Sequence, residues 1–214
     1  MTESQRGAPP SLAPALRREA TAPARWRAPG WLRWCCVVLY LGALYAFLPF
    51  ARDVSVALDQ RHALGLVITL LFLVSLGSLV FYVVFGVRLS DLAAFTAIAF
   101  LVGVTGAMVL GLSIPEERVH FLQFGFLTVL ARWAFAARLP PARQYLAAGV
   151  FAASAGWGDE VIQHFLPDRV YDLRDVALNA VAVVLAVAFD EAVHNRLRWA
   201  SRADDDAQDP ADRG

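Results

Sequence analysis

Two uninterrupted apolar runs decide what this chain can become. The stretches from about His62 to Val87 and from Leu92 to Ile114 hold no acid or base between their flanks. An apolar helix of about 20 residues spans the hydrocarbon core of a bilayer, and each run reaches that length. In lipid every backbone N–H and C=O must be satisfied within the segment, which leaves helix as the conformation for such runs. Four further candidates follow the same logic: Trp34 to Phe50, Val119 to Ala137, Tyr145 to Leu166 and Asp175 to Phe189. The last is short, and an interfacial helix is its alternative. The expectation is an all-α, polytopic transmembrane helix bundle with about six membrane helices. Composition agrees: 58% of residues are hydrophobic and 18% charged, against about a quarter charged in soluble domains.

Residues 1–30 are rich in Pro, Ala and Arg and read as a disordered basic tail. No small-x-small cleavage site follows the first apolar run, so that run is read as a helix rather than a signal peptide. Residues 31–114 hold three N-terminal membrane helices, residues 115–189 a second three-helix region, and residues 190–214 an acidic C-terminal tail, Asp-rich from Ser201. Six spans put both tails on one side. The N-terminal tail carries six Arg, the Arg88 loop one, the Arg138–Arg143 loop two and the C-terminal tail four; the opposite loops carry Arg52, Arg61, Arg118, Arg169 and Arg174. Positive residues favour the cytoplasm, so both tails are expected there and the 115–118 and 167–174 loops outside. Small residues recur every fourth position at Ala99, Gly103, Ala107 and Gly111, and at Ala148, Ala152 and Gly156. Both stripes are expected to let helices approach closely inside the bundle. Cys35 and Cys36 are adjacent and read as packing residues.

The chemistry concentrates in two segments, Pro115–Gln123 and Gly158–Asn179. The fourth helix starts in the first; the fifth ends and the sixth begins in the second. All three ends therefore share one side of the membrane. Glu117 and His120 are three apart, Asp159 and Gln163 four, Glu160 and His164 four, and Asp172, Asp175 and Asn179 three then four, each a helical stripe. Ionisable groups at membrane depth need a partner or a task. The candidate catalytic set is Glu117, His120, Asp159, Glu160, Gln163, Asp175 and Asn179, with Arg169 and Arg174 as anion binders because guanidinium matches phosphate or carboxylate. The competing reading pairs Asp159 or Glu160 with Arg169 or Arg174 as a structural lock, and joins His120 to Glu117 by a hydrogen bond. No metal is expected, since spacing alone does not gather enough donors around His120. His164 is expected at the headgroups, Trp157 and Tyr171 as interfacial anchors, and Arg132 as a snorkelling side chain. His62 and His194 have no polar neighbours of the same kind, and the expected cytoplasmic loop from Arg138 to Gln144 has no comparable cluster.

These segments resemble the VanZ-like family of bacterial membrane proteins. The likeness lies in Glu117-Arg118-x-His120, Asp159-Glu160-x-x-Gln163, Phe165-x-Pro167-x-Arg169 and Asp175-x-x-x-Asn179, across about residues 114 to 189. Departures are Ala182 and Ala186 where the family often has Gly, Asp168 where Gly is common, and Gln123 where some relatives carry an acid. The two alanines imply a slightly wider approach of the sixth helix. The resemblance implies a multi-pass protein of the bacterial cytoplasmic membrane with an outward-facing polar site. Two functions remain open: binding of, or acid–base chemistry on, a lipid-linked or cell-envelope molecule, and a non-catalytic scaffold whose cluster is a structural network. A transporter is disfavoured, because no inverted repeat is visible and the cluster lies near one face. The expected partner is the lipid bilayer, with a lipid-linked ligand and no nucleic acid; Walker, dinucleotide and zinc-finger motifs are absent, and the residues imply no particular cofactor.

Overall fold

The computed structural model of the chain describes residues 28–86, 92–167 and 171–208. The expected N-terminal tail, the Arg88 loop and the pair Asp168 and Arg169 fall outside the described residues. Among the described residues the chain is an all-α bundle of six helices: α1 Gly30–Asp59, α2 Leu64–Phe81, α3 Leu92–Gly111, α4 Pro115–Phe135, α5 Pro141–His164 and α6 Leu173–Gln208. A π-helical turn, Tyr82–Gly86, prolongs α2. Three helical stretches are long and apolar enough to cross a membrane: Gly30–Asp59, Leu64–Phe85 and Leu173–His194.

Helix boundaries follow local chemistry. Pro115 and Pro141 open α4 and α5, where the missing N–H would be unpaired anyway and φ is already helical. Glu116 and Glu117 in the first turn of α4 complement the positive end of its dipole. α1 runs past the expected end at Phe50, through Pro49, to Asp59; proline forfeits one backbone bond without stopping a helix held by its neighbours. His62, expected to open the second span, instead takes a left-handed conformation at φ 50° in the α1–α2 turn. The final helix departs most from expectation. It is 36 residues long, its stretch Leu173–His194 is long and apolar enough to cross a membrane, and residues 201–208 of the expected tail continue it. Extending an existing helix adds one bond per residue fixed and avoids the cost of nucleation.

α4 is the hub, packing against every other helix and most extensively on α6 and α5. The main core joins Phe121, Phe124 and Leu127 of α4 to Val37 of α1, Phe72 of α2, Val109 of α3, Ala152 of α5 and Val183 of α6. Of the two small-residue stripes, that of α5 packs inward: Ala148 and Ala152 are fully buried. A Cβ on Gly156 would stand 2.8 Å from Cβ of Asn179, a separation real atoms do not adopt. The stripe of α3 does not behave as expected. Ala99, Gly103, Ala107 and Gly111 are exposed, and a Cβ on Gly103 or Gly111 would meet nothing within 4 Å. Spacing reveals that small residues share a face, but the buried face of α3 is set by its larger side chains, Ile98 and Val109.

Candidate functional site

The N-termini of α4 and α6 and the C-terminal part of α5 converge on one polar cluster. Glu117, Asp159, Glu160, Gln163 and Asn179 are all buried, while His120 and Asp175 are partly buried. The three segments that sequence spacing placed at one end of the bundle do meet there. How they pair differs from expectation. Arg174 bonds neither Asp159 nor Glu160; its Nη1 lies 3.1 Å from Oε1 of Glu117. His120 is gathered with Asp159 and Glu160: one donor atom from each lies within 4.8 Å of the other two. The imidazole stacks on Phe124, rings 5° from parallel and 6.1 Å apart.

Gln163 acts as a clip on the carboxylates. Its amide donates to Oδ2 of Asp159 at 2.9 Å and to Oε1 of Glu160 at 3.4 Å, as i,i+4 and i,i+3 geometry allows. Asp172, expected in the helical stripe with Asp175 and Asn179, instead caps α6. Its Oδ1 accepts from the backbone N–H of Arg174 at 2.8 Å, and its own backbone N–H reaches Oε2 of Glu160 at 3.5 Å. Asn179 donates to the carbonyl of Gly156 at 3.1 Å, which explains why α5 carries glycine there. Asp175 faces both Glu160 and Glu117 electrostatically. The cluster thus assembles five carboxylates, from Glu117, Asp159, Glu160, Asp172 and Asp175. Its other predicted anion binder, Arg169, lies outside the described residues.

Arg118, in the middle of a motif, faces elsewhere. It donates to Oγ1 of Thr69 and to the carbonyl of Leu112, both at 2.8 Å, tying α2 and the end of α3 to α4. Trp157 is exposed and donates to the Tyr171 hydroxyl at 3.2 Å, in keeping with an interfacial pair. The expected wider approach of α6 is taken up by its partner: a Cβ on Gly125 of α4 would meet Cβ of Ala186 at 4.0 Å. The small residue lies on α4 rather than on α6.

Two features escaped the sequence. Tyr45 of α1 donates to the carbonyl of Ala155 at 2.7 Å and lies within electrostatic range of Asp159; nothing in the apolar first span signals this. The second is a polar layer further along the helices. Arg132 does not snorkel to the surface but forms an ion pair with Asp190. One of its guanidinium nitrogens, Nη2, lies 3.0 Å from Nε2 of His194. Arginine has no acceptor, so a hydrogen bond between the two runs from Nη2 to Nε2. Nδ1 in turn lies 3.0 Å from the Asp190 carbonyl. His194, expected to lack polar neighbours, therefore has two. The i,i+4 spacing of Asp190 and His194 was the available signal. This layer lines one end of a largely apolar cavity of about 850 Å³ shared by α1, α2, α3, α4 and α6.

No family model matches the chain, and no solved structure matches it. It is 32% identical over 118 residues to the "Uncharacterized protein C11E3.10" of Schizosaccharomyces pombe, a match covering 54% of this chain and 71% of the yeast protein. At that identity and coverage, this chain belongs to the same family as the yeast protein.

Proposed function

We propose that this is a VanZ-like integral membrane protein whose α4–α5–α6 cluster binds, or carries out acid–base chemistry on, the polar head of a lipid-linked or cell-envelope molecule. One observation carries this reading: residues from three helix ends, far apart in sequence, converge, with buried Asp159 and Glu160 and a His120 nitrogen within 4.8 Å of one another. His120 and Glu160 are the acid–base candidates. Gln163 and Asn179 position them, and Arg174, half exposed beside Glu117, offers a guanidinium to an anionic head. The Arg distribution supports cytoplasmic tails and an outward-facing cluster. The resemblance of its motifs to the VanZ-like family supports a bacterial cytoplasmic membrane.

The test is mass spectrometry of what co-purifies with the detergent-extracted full chain. The wild type is expected to retain a polyprenyl or phospholipid species, and Glu160→Ala, Arg174→Ala and Asp175→Ala are expected to lose it while still accumulating in the membrane. A scaffold whose cluster is purely structural is the second reading, favoured by the Glu117–Arg174 pair and the Asn179–Gly156 bond. It predicts that the same variants disappear from the membrane and that Glu117→Arg with Arg174→Glu accumulates where either single reversal does not.

A further inference from the structure

We infer that His120, Asp159 and Glu160 form a divalent transition-metal site. Sequence spacing gave no reason to expect one, because His120 is 39 residues from Asp159 by number and lies on a different helix. Folding removes that objection: three ligand atoms, one imidazole nitrogen and two carboxylate oxygens, lie within 4.8 Å of one another. Donors at about 2.1 Å from one ion in a tetrahedral site are about 3.4 Å apart, so metal binding draws the three side chains together by up to roughly 1.4 Å.

Charge points the same way. Asp159 and Glu160 are each about 1% exposed, and two buried carboxylates side by side are costly unless neutralised. Arg174 is engaged by Glu117 instead. A dication neutralises both carboxylates at once. The second shell is present as well. Gln163 donates to one oxygen of each carboxylate, the arrangement by which outer partners orient metal ligands. Independent of the three ligands, three buried acceptors on the facing helices have no hydrogen-bond partner among the described residues: Glu117 Oε2, Asp175 Oδ1 and Asn179 Oδ1. Buried acceptors without donors are rare, and water molecules held on an ion are the donors such a layer can use.

One nitrogen and two oxygens suit Zn²⁺ or Mn²⁺, and three protein ligands leave a coordination position open. An anionic oxygen of the headgroup proposed above fits that position. The metal rests on the same cluster as that reading but does not depend on its lipid.

The experiment takes the full chain in detergent, strips it with a chelator, and titrates it with Zn²⁺ or Mn²⁺ alone, no lipid being added. Metal content after desalting is expected at one ion per chain, with a raised melting temperature. His120→Ala, Asp159→Asn and Glu160→Gln are expected to abolish retention, and Gln163→Ala to weaken affinity by about 10–100-fold. A wild type that retains neither ion overturns the proposal, as does full retention by all three ligand variants. Should those variants fail to accumulate, a chain with His62→Ala, His164→Ala and His194→Ala leaves His120 as its sole imidazole. Loaded with Cu²⁺, that chain is expected to show nitrogen hyperfine coupling in its electron paramagnetic resonance spectrum; a spectrum with oxygen ligands only overturns the site. Metal without co-purified lipid overturns the headgroup reading alone, and lipid without metal overturns this one alone.

Discussion

Replacing Gly156 with alanine places a methyl group 2.8 Å from Cβ of Asn179. Overpacking of this kind costs about 1–3 kcal/mol. Gly156→Ala is therefore expected to lower the melting temperature of the detergent-solubilised protein. The clash is foremost with Cβ, with Cγ and Nδ2 of Asn179 at 3.3 Å behind it, so Gly156→Ala is expected to cost less in an Asn179→Gly background than in an Asn179→Ala background; equal costs in the two backgrounds would refute the close contact. Arg132 supplies a second prediction. Its ion-pair partner Asp190 has a side chain only 8% exposed, and breaking a buried pair costs about 3–5 kcal/mol because a charge is left without its partner. Arg132→Gln is expected to melt well below the wild type, with Arg132→Gln plus Asp190→Asn recovering part of the loss. At this scale the sequence was legible where polar residues interrupted apolar stretches: Glu117, Asp159, Glu160, Gln163 and Asn179 stand out and do converge. The partner of each was not legible. Glu117 takes Arg174 and His120 lies beside the α5 carboxylates, because pairing depends on how helices are rotated about their axes, which spacing along one helix does not fix.

Among the elements, all six helices could be read from apolar length and flanking prolines, while their ends and roles could not. α6 was expected to stop near Phe189, since Asp190, Glu191, His194 and the arginines that follow look like an exit from the membrane. It continues because Asp190 and His194 turn their polarity inward onto Arg132 of α4, so a charged turn remains part of a packed helix. α4 carries both acidic and basic residues and looks like a marginal span, yet it is the helix on which all others pack. Its apolar face is a single stripe, Phe121, Phe124, Leu127 and Ala131, all buried. The two alanines of α6 that depart from the VanZ-like pattern could be interpreted only with the facing helix known, since Gly125 supplies the space opposite Ala186.

For the molecule as a whole, the Arg asymmetry leads to a topology prediction. Reporter fusions at the two termini are expected to give the same, cytoplasmic, side. Fusions reporting opposite sides would mean that an odd number of helices cross. The two polar layers give the bundle a further physical property. From Asp175 to Asp190 α6 advances fifteen residues, roughly 22 Å at about 1.5 Å per residue, and from His120 to Arg132 α4 advances twelve, roughly 18 Å. A bilayer has a hydrocarbon thickness of about 30 Å. The dry slab between the layers is thus thinner than the membrane that would surround it. The outward faces of α2 and α3 are mostly apolar, Leu66, Leu70, Val74, Phe95 and Phe100 among them, and the exposed Ser75 and Ser78 hydroxyls donate back to carbonyls of α2, so the lipid has little reason to thin to match. Hydrocarbon then overlaps at least one of the two layers, whose charges are shielded from water by lipid outside and helices within. In such a low-dielectric setting a change in one charge is poorly screened and is felt along the common rod of α6.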